Sequence, residues 1–481
     1  MENSPNIVFI TIDDMNDWVG CLGGYAGKVH TPNIDGLAKH GRLFANAHCP
    51  APICNPSRTA VVSGFHPTSS GVYDNARWWR PTMPGVTMIP EHFKANGYKT
   101  ACAGKVMHHT PGFNPPEMWD ELLTQFFDLG YHTGADASAP PSGMPMKWRD
   151  GFPKNELEAV RNWDKSLNGT HEFDWGVQDI PDEETADAKA FVWAEEFLGR
   201  SHDKPFFLAV GSFRPHLPMY VPKKYLDLYP DDELIEPKCF EEALENIPEA
   251  GRELASRNSA NYEQLKENGR YREFVRYYLA SLSYADAQVG RVLDALAKSA
   301  YSENTYVVFW VDHGFHLGEK GHLHKSTLWE ESTRIPLIVA GPGVSQTGVE
   351  TTRSVSSLDL YPTLIDLCGL PAKPELDGMS LLPFLSDPQA TRETPVITSH
   401  SEGDHAVRSE HWRYIRYADG SEELYDHRND PDEIKNLAGK PEYAEIQKEL
   451  AHWIPSTPAA PVAHKDNFDF DPVSYTWKLK A

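Results

Sequence analysis

Cysteine is scarce in this sequence of 481 residues, and long apolar runs are absent. The six cysteines show no CxxC spacing, which argues against both a disulfide framework and a zinc site. No run of about 18 apolar residues occurs, so we predict no membrane span. The N-terminus enters a strand pattern directly, without the charged segment, apolar core and cleavage site of a signal peptide. We therefore expect a periplasmic or secreted protein in its processed form or, alternatively, a cytoplasmic one.

Basic residues are also in deficit. Lys and Arg total 45 against 69 Asp and Glu, which gives a formal net charge of −24. Affinity for nucleic acids and anionic membranes depends on clustered Lys and Arg, so the charge argues against both partners. An anionic small substrate remains compatible with this charge only if a local basic pocket overcomes the repulsion of the whole chain.

Apolar runs rich in β-branched residues alternate with helical patterns before the C-terminal region. The runs at residues 6–12, 98–103, 205–210, 305–311 and 335–340 are typical of buried parallel strands. Helices are predicted at residues 34–40, 57–63, 89–96, 185–199, 274–298 and 358–367. The alternation predicts an α/β sandwich with helices on both faces of a mostly parallel central sheet.

The pattern changes in two other regions. Residues 111–181 are rich in Pro, Gly, Trp and Asp without clear periodicity, and so long a loop in a compact domain is usually functional. After residue 393, short strands at 412–417 and 422–425 flank Asp419-Gly420, a hairpin signal, and a helix is predicted at 442–453. We predict a main α/β domain at residues 1–393 and a small subdomain with an antiparallel sheet at 394–481.

Chemically loaded segments follow four of the predicted strands. They begin at Asp13, Lys105, Arg214 and Asp312. Open α/β sheets bind their ligands beyond the carboxyl ends of the strands, so we expect these distant segments to converge on one edge.

The adjacent carboxylates of Asp13 and Asp14 are costly to leave unpaired at the end of a buried strand. A divalent cation would relieve the repulsion, and oxygen ligands suit calcium or magnesium better than zinc. Asp312, with His313 beside it, would add a ligand from a second strand. The alternative is that the pair merely caps a turn, but the second strand end favours the ion.

A cysteine opens one of the predicted helices. In the segment Cys54-Asn55-Pro56-Ser57-Arg58, Pro56 suits a first turn, and the free backbone N–H groups there favour an anion. Arg58, one turn further on, is placed to hold a cysteine-derived group or an anionic oxygen. A lone cysteine at such a position is more often structural, so these residues alone leave its role open.

The same segment carries a resemblance to a known family. Cys54, Pro56, Ser57 and Arg58 match the CxPSR signature, and the chain on this basis resembles the type I sulfatases. The likeness is greatest to the iduronate-2-sulfatases and related bacterial carbohydrate sulfatases. It extends through the segments Tyr73-Asp74, Trp79-Arg80, Gly104-Lys105-Val106, Arg214-Pro215-His216, Ser283-Tyr284, Asp312-His313-Gly314 and Leu424-Tyr425-Asp426.

The resemblance implies an alkaline-phosphatase-like fold and two cofactors. One is a formylglycine made from Cys54, by a formylglycine-generating enzyme or an anaerobic maturation enzyme. The other is a calcium ion (Ca²⁺), held by Asp13, Asp14, Asp312, His313 and position 54. The residues implied to surround the sulfate are Arg58, Lys105, His108, His216 and Lys325.

The resemblance also implies a mechanism. One hydroxyl of the hydrated formylglycine attacks sulfur, and His216 or Lys325 protonates the departing alcohol. His108 then takes the proton of the second hydroxyl, so that sulfate leaves. We therefore expect a sulfatase, a hydrolase of sulfuric esters.

The substrate is expected to be a sulfated polysaccharide fragment. A sugar subsite is predicted at Asp74, Arg77, Trp78, Trp79 and Arg80, because Trp stacks on sugars and Arg pairs with carboxylates or sulfates. The alternative is that these Trp residues belong to the core.

Two other functions fit the sequence less well. A phosphate or phosphonate ester hydrolase would keep the same fold, but CxPSR favours sulfate. A catalytically silent glycan-binding protein would rest on exposed aromatic residues, for which the candidates are Trp78, Trp79, Trp148 and Trp175. Retention of the whole ionic constellation argues against this second alternative.

Overall fold

The computed structural model describes residues 4–109, 111–123, 173–257, 259–345 and 347–480. Its strands are β1 (Asn6–Asp13), β2 (Arg42–Phe44), β3 (Ala47–His48), β4 (Lys99–Gly104), β5 (Glu121–Leu123), β6 (Trp175–Val177), β7 (Phe206–Pro215), β8 (Met219–Val221), β9 (Thr305–Val311), β10 (His316–Leu317), β11 (Leu323–His324), β12 (Leu337–Ala340), β13 (Glu350–Thr351), β14 (Val355–Ser356), β15 (Val396–Ser399), β16 (His405–Arg408), β17 (Trp412–Arg416), β18 (Glu422–Asp426), β19 (Phe468–Asp471) and β20 (Thr476–Leu479). Its α-helices are Pro32–His40, Cys54–Ser63, Pro67–Ser70, Trp79–Thr82, Ile89–Ala95, Ala186–Leu198, Lys223–Leu226, Glu249–Ser256, Ser259–Glu267, Tyr271–Lys298, Glu330–Thr333, Leu360–Cys368, Leu382–Ser386 and Ala444–Ala451. In the part of the chain that the structure describes, no helix has the length and apolar character needed to cross a membrane.

An eight-stranded sheet forms the centre of the molecule, in the order β13-β2-β12-β9-β1-β7-β4-β5. Strand β1 lies between β7 and β9 and is parallel to both, with Phe9 opposite Ala209 on one side and Val308 on the other. Every residue of β1 is buried, because helices cover both faces of the sheet. The predicted α/β sandwich with a mostly parallel sheet is confirmed.

One predicted strand has the wrong direction. We expected residues 335–340 to form a parallel strand, but β12 is antiparallel to both β9 and β2. The chain leaves β9 at Val311 and returns at the same edge, where Leu337 pairs with Trp310. A buried strand has the same apolar composition in either direction, so the sequence could not distinguish the two.

Helices pack around this sheet at the predicted places. The longest, Tyr271–Lys298, packs against both the helix Ala186–Leu198 and strand β7. Its buried face accounts for most of its apolar residues, as a helix against a sheet requires. The five other predicted helices are also present, with their ends shifted by a few residues.

The C-terminal region contains a four-stranded antiparallel sheet in the order β15-β16-β17-β18. The predicted hairpin is confirmed, since β17 and β18 pair with Tyr414 opposite Leu424. The predicted helix is present as Ala444–Ala451. The division of the chain at residues 393 and 394 stays a prediction.

The last residues return to the main α/β domain, which the sequence did not predict. The Val462 N–H donates to the Gly71 carbonyl at 2.9 Å, and the β19–β20 hairpin packs on Trp78. Phe470 lies closest, with its ring centroid 5.2 Å from that of Trp78. The chain's end thus covers a segment that follows the helix of Cys54.

Candidate active site

The carboxyl ends of four neighbouring strands hold the ionic residues of the site. Asp13 and Asp14 close β1, and Asp312 follows β9. Lys105 follows β4, and His216 follows β7. All five are buried within the described structure, with exposed fractions from 0% to 6%.

The three carboxylates experience different local electrostatics. Burial raises the pKa of Asp14 to about 6, although Lys325 opposes the shift. Burial also raises the pKa of Asp312 to about 7 against the effect of Arg58. For Asp13 burial acts in the same direction, but Lys105 and the other neighbouring cations hold its pKa well below the ordinary value. So much buried negative charge is stable only with cations close by.

Arg58 links two of these carboxylates. Its Nε donates to Asp312 Oδ2 at 2.8 Å, and Nη2 donates to Asp13 Oδ1 at 3.1 Å. Its Nη1 donates to the carbonyls of Lys105 and Val106 at 2.6 and 3.0 Å. Arg58 had been expected among the residues around the sulfate. In this structure each of its nitrogens donates to a protein oxygen, and its place around the sulfate stays a prediction.

Cys54 is the first residue of the helix Cys54–Ser63. Its Sγ lies 3.3 Å from Lys325 Nζ and 3.3 Å from His313 Nε2, and its side chain is buried. Burial raises the pKa of the Cys54 thiol, and the nearby Asp13 adds to the shift. An unmodified Cys54 is therefore a protonated and weak nucleophile.

The two lysines of the site contact the carboxylates directly. Lys325 Nζ donates to Asp14 Oδ1 at 2.5 Å, and Lys105 Nζ donates to Asp13 Oδ2. Burial of Lys325 acts to lower its pKa, but the Asp14 carboxylate outweighs this effect and raises the pKa well above its ordinary value. Both ammonium groups are paired with carboxylates in this structure, so the basic pocket that an anionic substrate requires stays a prediction.

Three histidines lie beside these ionic residues. His313 Nδ1 lies 2.9 Å from the Gly314 carbonyl and donates to it, which leaves Nε2 facing Cys54. His216 Nδ1 likewise lies against the Leu217 carbonyl, with Nε2 3.8 Å from Asp14 Oδ2. The ring of His108 is tilted by 32° against that of His109, with 4.4 Å between their centroids. Burial, with Lys105 next, lowers the pKa of His108 well below its ordinary value.

Comparison with known proteins assigns the chain to a family. The sequence model described as "Sulfatase" matches residues 5–370, and a second, "N-sulphoglucosamine sulphohydrolase, C-terminal", matches residues 318–458. The chain belongs to the sulfatase family. It is a hydrolase of sulfuric esters, as the resemblance implied.

Two curated relatives resemble this sulfatase along most of its length. A "Sulfatase" of Formosa agariphila is 35% identical, and the match covers 98% of this chain and 90% of the relative. The mouse iduronate 2-sulfatase is 30% identical over 77% of this chain and 69% of its own. Among solved structures, that of BT4656 in complex with D-glucosamine-2-N,6-O-disulfate has a TM-score of 0.71 at 22% identity. The match covers 93% of this chain and 96% of that one, so the two share a fold.

Members of this family depend on formylglycine and a metal ion, and the sulfatase site fits a metal. The ligand atoms of Asp13, Cys54, Asp312 and His313 all lie within 4.8 Å of one another. Those of Asp13, Asp14, Cys54 and His216 form an overlapping group with the same limit. The carboxylates of Asp13, Asp14 and Asp312 offer hard oxygen ligands in a buried position, which is the chemistry that a divalent cation requires.

The sulfatase buries the Trp residues that were candidates for an exposed sugar-binding surface. Trp79 is 0% exposed, and its Nε1 donates to the Phe113 carbonyl at 2.9 Å. Trp78 lies beneath the β19–β20 hairpin, and Trp175 is 2% exposed. The exposure on which the glycan-binding alternative depended is not observed for these three residues, and the alternative that Trp78 and Trp79 belong to the core is confirmed. Trp148 lies outside the described residues, as does most of the segment 111–181.

The polar members of the predicted sugar subsite have different surroundings. Arg80 Nη2 donates to Glu91 at 2.5 Å, and its guanidinium lies over the Trp79 ring. Arg77 pairs with Asp74 at 2.8 Å, and the Asp74 side chain is 42% exposed. Asp74 is thus the most exposed of the three, while the Arg77 and Arg80 side chains are 19% and 21% exposed.

Sequence reasoning missed the residues that connect this subsite to the catalytic helix. Asn55 donates its side-chain amide to the carbonyls of Asp74 and Arg77, at 2.8 and 3.0 Å. The Asn55 N–H donates to Asn75 Oδ1 at 2.9 Å. Tyr278 was also missed, although its hydroxyl donates to the Asp14 carbonyl at 2.8 Å. It lies within the apolar face of a long helix, where no motif marks it.

Proposed function

We propose that this sulfatase removes sulfate from a sulfated saccharide, using a formylglycine at position 54 and a calcium ion. The observation that carries the proposal is the position of Cys54. It begins a helix, within 3.3 Å of both Lys325 and His313, beside three buried carboxylates. A residue that was only structural would not require this concentration of charge around it.

Calcium is the proposed metal because carboxylate oxygens dominate the ligand set. Asp13, Asp14 and Asp312 are the proposed ligands, with position 54 completing the shell. His313 Nε2 is also close enough to bind, although calcium prefers oxygen. Such an ion would supply positive charge for the sulfuryl oxygens and would orient the substrate.

The chain's own residues would supply the proton transfers. Formylglycine, made by a separate maturation enzyme, would provide the nucleophile and a second hydroxyl whose deprotonation releases sulfate. Lys325 is the proposed acid, because its Nζ already donates towards position 54. His216 Nε2 faces the site while Nδ1 donates to a carbonyl, so the neutral ring accepts a proton there. His108 is the proposed base for the release step.

The name of one relative and two polar side chains near the catalytic helix support a saccharide as the proposed substrate. The mouse relative is named for a sugar acid, and the chain matches most of it. Asp74 and Arg77 offer a carboxylate and a guanidinium beside the catalytic helix, suited to hydroxyl and anionic groups of a sugar. A periplasmic or secreted location stays a prediction.

The proposal is tested with wild-type enzyme whose formylglycine content is known from peptide mass. A panel of sulfated oligosaccharides is incubated with it, and free sulfate and phosphate are both measured by ion chromatography. Phosphorylated and phosphonate esters are included at the same concentrations. We expect sulfate release from at least one saccharide and no comparable release from the phosphorus esters. Preferential release of phosphate or phosphonate, or no hydrolysis by converted enzyme, would contradict the proposal.

A further inference from the structure

The loop that carries Lys325 has an unusual backbone. Between Gly318 and Thr327 three residues other than glycine have positive φ, namely Lys320 at 53°, His324 at 74° and Ser326 at 74°. Side chains disfavour this left-handed conformation, so contacts from outside the loop must hold it. One such contact joins the Ser326 N–H to the Pro52 carbonyl at 3.1 Å, which sets the loop against the chain just before Cys54.

His322 makes a second contact of this kind. Its side chain is completely buried, with Nε2 3.0 Å from the Lys325 carbonyl and Nδ1 2.7 Å from the Ala255 carbonyl. Both neighbours are acceptors, so the neutral ring donates to one of them and the protonated ring to both. Either way the imidazole lies between Lys325 and the helix Glu249–Ser256.

A second buried histidine supports the first. The ring of His316 meets that of His322 edge to face, with 4.9 Å between centroids. Its Nε2 lies 2.8 Å from Thr327 Oγ1. The two rings therefore hold the backbone at residue 325 and the side chain two residues later. The hydrogen bonds of the two rings go to backbone carbonyls and to Thr327, rather than to the carboxylates or Cys54.

We propose that His322 is a positioning residue for catalysis, acting through the backbone of Lys325 to fix the Lys325 ammonium beside position 54. The proposal rests on the proposed function, in which Lys325 is the acid. Lys325 has a long flexible side chain, so its ammonium is only as well placed as its backbone. The imidazole removes the freedom of that backbone without touching the substrate.

A double-mutant cycle tests the proposal. His322→Ala is made in the wild-type chain and in Lys325→Ala, and kcat/KM is measured per mole of formylglycine. The substrate is a sulfated saccharide that the wild-type enzyme hydrolyses, because its alcohol leaving group requires protonation. We expect a loss of about 10- to 100-fold in the wild-type background, the scale that misplacement of a catalytic group causes. In the Lys325→Ala background we expect His322→Ala to change kcat/KM by no more than about twofold, the scatter of independent effects.

His405→Ala is the matched control. His405 is also buried, with Nδ1 2.7 Å from Ser399 Oγ and Nε2 3.0 Å from the Glu402 carbonyl, both in the C-terminal sheet region. We expect this variant to lower the melting temperature without distinguishing the two backgrounds. If His322→Ala does not fold, His322→Leu, which keeps the volume but has no donor for the Lys325 carbonyl, replaces it.

The possible results separate the two proposals. Equal losses from the His322 substitution in both backgrounds, or no loss in either, would overturn the positioning role and leave the proposed function intact. Wild-type enzyme that carries formylglycine at position 54 yet releases no sulfate from any of the saccharides would instead overturn the proposed function.

Discussion

The guanidinium of Arg58 lies between Asp13 and Asp312 and donates to one oxygen of each, at 3.1 and 2.8 Å. All three side chains are inaccessible to solvent. Two carboxylates that share a cation in this way keep a fixed separation and orientation. We infer that the geometry of the proposed calcium site depends on Arg58 even though Arg58 cannot bind calcium itself.

Arg58→Lys should therefore disrupt the site although the charge is kept. Lysine has one nitrogen where arginine has three, so it cannot keep the hydrogen bonds to both carboxylates and to the two backbone carbonyls. We expect a loss of about 1–3 kcal/mol in the free energy of unfolding, measured by urea denaturation, and weaker calcium binding by calorimetry. Arg428→Lys is the control. Arg428 also pairs with a carboxylate, that of Asp426, but its side chain is 49% exposed. An effect of Arg58→Lys as small as that of the control would contradict this interpretation.

Cys54→Ser should stop turnover. A serine hydroxyl can attack sulfur but has no second hydroxyl whose deprotonation expels sulfate, so any sulfo-serine formed should persist. Intact mass spectrometry after incubation with substrate should show one added sulfo group or no change. Cys49→Ser is the control, since Cys49 is equally buried but its Sγ faces the Ser332 carbonyl at 3.7 Å. Multiple turnovers by Cys54→Ser would show that formylglycine is not needed.

Removal of the metal should lower both activity and stability. A ligand that binds only the folded state stabilises it by mass action, by about 2.7 kcal/mol at a concentration of 100 Kd. We expect chelation to abolish sulfate release and lower the melting temperature, and added calcium to reverse both. Full activity in a preparation shown to be metal-free by elemental analysis would exclude the calcium site.

Two buried aspartates distinguish this effect from general destabilisation. Asp14→Asn should remove the calcium-dependent rise in melting temperature. Asp286→Asn should destabilise the enzyme but keep that rise, because Asp286 accepts from the Asn33 and Ile34 N–H groups at a helix start remote from the carboxylate group. A normal calcium response in Asp14→Asn would remove this residue from the proposed ligands.

His66 should make the enzyme less stable in mild acid. Burial lowers the pKa of His66 to about 4, although the hydrogen bond from Nε2 to the Ile397 carbonyl at 3.1 Å acts in the opposite direction. The unfolded chain binds a proton near the ordinary pKa of about 6.5, so stability falls as the pH drops from about 6.5 to 4. The full contribution is about 3 kcal/mol.

The pH effect is measured as urea midpoints at several pH values between neutrality and pH 4. His66→Gln, which has both an acceptor and a donor but no proton to gain, should flatten part of the slope. His452→Gln, at an exposed position, should leave the slope unchanged. Identical slopes for wild type and His66→Gln would refute the assignment.

The sequence predicted the central sheet well because buried parallel strands are continuous apolar runs with polar residues at one end. The five runs lie in five of the sheet's strands, and the segments after β1, β4, β7 and β9 meet at one edge. The direction of β12 was not predictable, since it depends on where the preceding segment returns. The short strands at the sheet's edges have too few residues for a periodic signal.

The site was less predictable where long-range contacts decide a residue's environment. Trp78 is of a residue type that often binds sugars, but a hairpin almost 400 positions later in the chain covers it. Phe470 and Trp477 of that hairpin contact its ring. The motif shows that Arg58 is a cation near the site, but it does not show which groups the guanidinium contacts. Only the positions of Asp13 and Asp312 show that its nitrogens are already engaged.

The burial of Cys54 sets a time limit on its oxidation. His313 and Lys325, which close over the thiol, lie 259 and 271 residues further along the chain. At a synthesis rate of about 5–20 residues per second, Cys54 precedes them by roughly 13 to 50 s. An oxidising enzyme has that interval, together with the time the domain takes to fold, before the thiol becomes inaccessible. The fraction of active protein should then depend on a race between two rates, so that slower synthesis or folding yields a more fully converted enzyme.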